Sequence, residues 1–98
     1  MAEAYDDSIN AMAGNVESMF LLGVRFEYGI GVPKDDAKAL EWYTRAAENG
    51  DVGTQLLLAK RYSEGNRVPK DEAMARLYYT LAAEAGSPTA KMFLQKKH

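Results

Sequence analysis

Residues 29–50 read Gly-Ile-Gly-Val-Pro-Lys-Asp-Asp-Ala-Lys-Ala-Leu-Glu-Trp-Tyr-Thr-Arg-Ala-Ala-Glu-Asn-Gly, and residues 65–86 read Gly-Asn-Arg-Val-Pro-Lys-Asp-Glu-Ala-Met-Ala-Arg-Leu-Tyr-Tyr-Thr-Leu-Ala-Ala-Glu-Ala-Gly. The second stretch is the first displaced by thirty-six positions. Extended outward, residues 14–49 laid on 50–85 are identical at 17 of 36 positions. A fixed period of tens of residues is the mark of a solenoid, in which each unit buries its apolar face against its neighbours.

The punctuation inside the quoted stretch predicts a helical hairpin. Asp35 and Asp71 follow a proline-containing loop and precede an apolar-periodic run, the place where a short side-chain oxygen accepts from the free amides of a first helical turn. Pro33 and Pro69 fix the loop torsion just before these caps. The second helices are expected over 36–49 and 72–85, with Gly50 and Gly86 in the left-handed conformation just beyond. Asn15, Asp51 and Ser87 each follow a glycine and are expected to cap first helices. These run over Val16–Tyr28 and Val52–Glu64 and are closed by Gly29 and Gly65. Pro88 suits the first position of a further helix. Val32 and Val68 are expected to plug the loops onto the hairpins.

Small residues at Gly23, Ala39, Ala46, Ala47, Ala59, Ala75, Ala82 and Ala83 allow close approach of helices. Leu22, Phe26, Trp42, Tyr43, Leu58, Tyr62, Tyr78 and Tyr79 are the expected core. Residues 3–13 occupy the place of a second helix and 88–97 that of a first. The whole is thus expected to be one all-α domain over 1–98, an alpha-alpha superhelix (solenoid) of antiparallel hairpins. Its parts are a partial repeat at 1–13, repeats at 14–49 and 50–85, and a partial repeat at 86–98.

Twelve basic against fourteen acidic residues leave a net charge of −2. That balance supplies no field to hold nucleic acid or an anionic membrane, so neither is an expected partner. No apolar run approaches the roughly 20 residues that span a bilayer. With no cysteine there are no disulfides and no thiolate metal sites. The acidic start is no signal peptide. A cytoplasmic location is expected, or a periplasmic or secreted one if a leader has been removed.

Leu22-Gly23, Phe26, Gly29, Gly31-Val32, Asp35, Ala39, Trp42-Tyr43 and Ala46-Ala47-Glu48-Asn49-Gly50 resemble the Sel-one-like repeat, a relative of the tetratricopeptide repeat with a longer loop between its helices. The resemblance implies a right-handed superhelical stack and adaptor or scaffold roles in protein complexes and signalling. Family members also include bacterial regulators and neutralising partners of secreted effectors. The second copy departs from the pattern with Arg67 for glycine, Tyr78 for tryptophan and Ala59 for glycine. Arg67 challenges the loop torsion, because a side chain resists positive φ.

Chemistry is sparse. The only histidine is His98, so a nucleophile would lack an imidazole base and a metal would find only oxygen ligands. The pairs Asp35-Asp36 and Asp71-Glu72 recur at helix N-termini, where the free amides and the dipole favour negative charge. Gly29-x-Gly31 follows a helix instead of a strand, and so is no phosphate loop. No catalytic residue, cofactor or metal is expected, and the chain is read as a non-catalytic module that binds a protein or peptide.

Its expected recognition surface is a concave stripe on the first helices. Glu17, Phe20, Val24 and Tyr28 share one face at three- and four-residue spacing, matched by Leu56, Lys60 and Glu64 and continued by Met92. An apolar patch with charges at its edge suits a peptide or an amphipathic helix. Phe20 and Leu56 could instead pack inward, and Arg25 and Arg61 could pair with carboxylates or anchor an acidic ligand. Met92, Phe93 and Leu94 are a candidate homodimer contact. The alternative functions are a regulator or neutralising partner of an enzyme, and a small-molecule binder or enzyme.

Overall fold

The computed structural model describes residues 14–96 and is all helical there. The expected N-terminal helix at 3–13 and the terminal His98 lie outside the described residues. Five helices follow in order: α1 Val16–Tyr28, α2 Asp36–Glu48, α3 Val52–Glu64, α4 Glu72–Glu84 and α5 Pro88–Lys96. Chain packing divides between Asp51 and Val52 into two compact units. The first holds the hairpin α1–α2; the second holds the hairpin α3–α4 with α5 packed on α4.

Both hairpins are tied by the same hydrogen bonds, which is why the same residues recur. The side chains of Asn15, Asp35 and Asp71 accept from the amides of Ser18 at 3.0 Å, Lys38 at 3.1 Å and Met74 at 3.1 Å. The Ser87 hydroxyl accepts from the Ala90 amide at 3.2 Å. Each such cap satisfies an amide that the first helical turn leaves open and stabilises by about 1 kcal/mol. The loops are clamped at both ends. The Arg25 carbonyl accepts from the Ile30 amide at 2.9 Å, and the Phe26 carbonyl accepts from the Asp35 amide at 2.8 Å. In the second copy Arg61 accepts from Gly65 and Asn66, and Tyr62 accepts from Asp71 at 2.9 Å.

The first helices have the expected bounds. The second helices end at Glu48 and Glu84, one residue sooner than the sequence suggests. Asn49 and Ala85 are the caps, and the following glycines turn left-handed, with φ of 99° at Gly50 and 103° at Gly86. This lets Asp51 donate to Ala46 at 3.1 Å and Ser87 donate to Ala82 at 3.0 Å. Gly50 and Gly86 meanwhile bond Ala47 and Ala83. The pattern is the paired C-terminal capping motif that needs a left-handed residue.

Arg67 keeps the loop torsion despite its side chain, at φ 67° where Gly31 has φ 77°. The clamps on either side hold the loop whichever residue sits there. A non-glycine residue held in this region costs of order 1 kcal/mol or more. Arg67→Gly is therefore expected to raise unfolding stability by about 1 kcal/mol, read as a higher urea midpoint at unchanged slope.

In the first unit Met19, Leu22 and Ala46 form the buried centre, flanked by Val16, Phe20, Phe26 and Trp42. In the second, Leu58, Ala59, Ala75, Tyr78 and Ala82 are buried. Of the expected large core residues, Leu22, Tyr43, Leu58 and Tyr78 are buried, whereas Phe26, Trp42, Tyr62 and Tyr79 are only half-buried. Polar neighbours account for part of this. Lys38 lies 5.7 Å from the Phe26 ring and Arg45 lies 4.7 Å from that of Trp42, so cations sit on faces that remain near water. Val68 is buried as a loop plug, and Val32 is half-buried.

Candidate functional site

On α1, Glu17 is exposed, Phe20 and Val24 are half-buried, and Tyr28 stands 60% exposed at the end of the stripe. Phe20 divides its surface: its ring centroid is 5.6 Å from that of Tyr43, and it packs against the Met19, Leu22 and Ala46 centre. Tyr28 leads into a loop whose Ile30 is 51% exposed, so apolar surface continues past the helix end. Arg25 turns back to this loop, its Nη1 donating to the Ile30 carbonyl at 3.4 Å. In the second unit α3 presents Leu56 half-buried beside exposed Lys60 and Glu64. Met92 on α5 is 61% exposed.

A buried polar contact supports the α1 face from below. Glu27 is 1% exposed, and its Oε1 accepts from the Tyr43 hydroxyl at 2.7 Å. Gly23 makes room for that ring: a Cβ placed there would lie 2.6 Å from Tyr43 Cδ1 and Cε1. The second copy has Ala59 and Ser63 at the positions equivalent to Gly23 and Glu27. There Tyr79 is half-buried and packs edge-on against Phe93 with ring centroids 3.7 Å apart, while its neighbour Tyr78 is buried and stacks on Tyr62 at 6.2 Å. One changed small residue thus accompanies a different aromatic packing. Burial, then the charge of Glu64, raises the Tyr79 hydroxyl above the usual phenol range; burial, then Asp71, does the same for Tyr62.

The paired acids at the second-helix starts are capping groups with local ion pairs. Asp36 meets Lys34 at 3.4 Å and Glu72 meets Lys70 at 3.8 Å. Among the described residues no group of three histidine, aspartate or glutamate side chains is placed to hold a metal ion. No helix among them is long and apolar enough to cross a membrane. On the last helix Phe93 turns inward onto Tyr79, Leu94 is half-buried and Met92 faces out. A pocket of about 80 Å³ lies between α4 and α5, lined by Glu72, Ala75, Arg76, Tyr79, Phe93 and Leu94. It is not legible in the sequence because it joins residues of different helices. The available signal was Arg76, a charge at the position that Leu40 holds in the first copy.

The family model for the Sel1 repeat matches residues 16–51 and again 54–87, more than half of the chain. The chain belongs to the Sel1 repeat family. Among solved structures, this Sel1 repeat protein is similar to the Sel1 repeat protein from Oxalobacter formigenes. The identity is 34% with a TM-score of 0.86, over 98% of this chain and 72% of the other. It is also similar to c5321, a protective antigen present in uropathogenic Escherichia coli strains displaying an SLR fold. There the identity is 39% with a TM-score of 0.68, over 82% of this chain but only 17% of the longer one. No curated protein sequence matches. The fold is the all-α repeat fold of this family, whose members generally mediate protein–protein interactions.

Proposed function

We propose that this Sel1 repeat protein is a non-catalytic protein-binding module that recognises a peptide or amphipathic helix through its first helices. The observation that carries this reading is the α1 face. Phe20, Val24 and Tyr28 form an apolar line that emerges from the core and ends in open tyrosine surface, with Glu17 as a charge at its start. The inner end of that line is braced by Tyr43. A braced aromatic loses little freedom on binding, and tyrosine supplies area with a polar tip, which is why such residues dominate interface energetics. In the second unit, Leu56 with Lys60 and Glu64 offers an apolar centre with charges that set register and partner sign.

The combined variant Val24→Ala, Tyr28→Ala and Lys60→Ala is expected to weaken a bound partner at least tenfold, about 1.4 kcal/mol. Helical circular dichroism should be unchanged. Phe20 is left in place because it carries core packing. Undiminished binding by the folded variant would remove these residues from the recognition face.

A further inference from the structure

The end of α2 carries chemistry that the end of α4 lacks. Asn49 caps α2 where Ala85 caps α4, and each is followed by a glycine in the left-handed region. Asn49-Gly50 is the only asparagine-glycine pair in the chain, since Asn10, Asn15 and Asn66 precede alanine, valine and arginine. The pair matters because the backbone nitrogen after an asparagine can attack the side-chain amide carbon, and glycine puts no side chain in the way. Asn49 is exposed, and nothing lies within 4 Å of where a Gly50 Cβ would stand, so base and water reach both residues.

In the folded hairpin the groups that would react are engaged. Asn49 Nδ2, the leaving nitrogen, donates to the Arg45 carbonyl at 2.8 Å and lies 3.8 Å from the Met19 sulfur of α1. The Gly50 nitrogen, the nucleophile, donates to the Ala47 carbonyl at 3.1 Å. A ψ of 14° at Asn49 sets that nitrogen beside Asn49's own backbone nitrogen and away from its Cβ, the wrong side for ring closure. Attack therefore waits for the end of α2 to open, and helix ends open more readily than helix centres.

We propose that Asn49 is a deamidation site, gated by opening of the α2 C-terminus, whose products loosen the first hairpin. Once open, the Gly50 nitrogen bonds to Asn49 Cγ and gives up its proton. The Cγ–Nδ2 bond breaks, and Nδ2 leaves as ammonia with that proton. One water then opens the cyclic imide. Entry at Cγ leaves aspartate; entry at the Asn49 backbone carbonyl leaves isoaspartate, whose main chain runs through the side chain and is longer by a methylene. Both products lose the donor to Arg45 and place a carboxylate at the negative end of α2, next to Glu48. Isoaspartate also displaces Gly50 and Asp51 from their bonds to Ala47 and Ala46, each 3.1 Å. The second hairpin, with Ala85, is spared. This site does not depend on the first-helix reading.

The test incubates the full chain at mildly alkaline pH, folded and in urea, and follows Asn49 by peptide mapping with mass spectrometry. Conversion in the folded protein is expected to be slower than in urea by about tenfold or more, with isoaspartate among the products and Asn15 and Asn66 unchanged over the same interval. The aged protein should unfold at a lower urea midpoint, and Asn49→Asp should reproduce part of that drop. Asn49→Ala should fold and not age, because Ala85 makes the same backbone bonds in the second copy. Equal rates with and without urea would overturn the gating. Earlier conversion at Asn15 or Asn66 would overturn the site, and an aged protein with an unchanged midpoint would overturn the loosening.

Discussion

Tyr43→Ala is expected to destabilise the protein by about 3–5 kcal/mol, measured by urea unfolding followed through helical circular dichroism. The ring is buried, packs on Phe20 and crosses Gly23, so truncation opens a cavity between α1 and α2. The hydroxyl adds a separable part. Tyr43→Phe keeps the ring but removes the donor 2.7 Å from the buried Glu27 carboxylate, and a hydrogen bond to a charged group is worth about 1.5–3 kcal/mol. The contrast lies in the second copy. Tyr79→Phe should change stability by no more than about 0.5 kcal/mol, because that ring is half-buried and Ser63 stands at the repeat position that Glu27 holds in the first copy. Equal losses at Tyr43 and Tyr79 would refute the difference between the hairpins.

Gly23→Val is expected to cost about 2–3 kcal/mol, the upper part of the range for overpacking a filled core. A Cβ alone would meet two Tyr43 ring carbons at 2.6 Å, and the valine methyl groups add to the collision. The ring cannot yield without stretching its bond to Glu27. In the Tyr43→Ala background the same substitution should cost little, since its obstacle is gone. The double-mutant cycle then gives a coupling of more than about 1 kcal/mol. Additive losses would mean that the glycine serves something other than the tyrosine.

The hairpins were legible because their boundaries are written in residues with local mechanisms. Asn15, Asp35, Asp71 and Ser87 cap where a short oxygen must, and Gly50 and Gly86 turn where only glycine is comfortable. Glu27 was not legible, because a carboxylate on an amphipathic helix reads as surface. Its one signal is spacing: Met19, Gly23 and Glu27 follow each other by four residues and share a stripe. The unequal burial of the aromatic pairs was hidden for a related reason. Trp42-Tyr43 and Tyr78-Tyr79 look alike in the chain, and the glycine that makes room for Tyr43 lies on the facing helix, where the second copy has Ala59. Arg67 shows the reverse case, a residue unsuited to its torsion yet held there between two backbone clamps.

For the proposed binding face the stripe is legible in the sequence, and the structure adds how each side chain is held. Phe20 is largely committed to packing and Tyr28 is largely free surface, so the accessible apolar part of the proposed face lies toward the C-terminal end of α1. The deciding measurement places a photo-crosslinking amino acid at Tyr28, Lys60, Glu41 or Ala73, one at a time, and exposes each protein to the native lysate. Glu41 and Ala73 are exposed controls on the second helices. The expected result is one recurrent protein joined at Tyr28 and Lys60 and absent at Glu41 and Ala73. Crosslinking that is strongest at Glu41 and Ala73 would contradict recognition through the first helices.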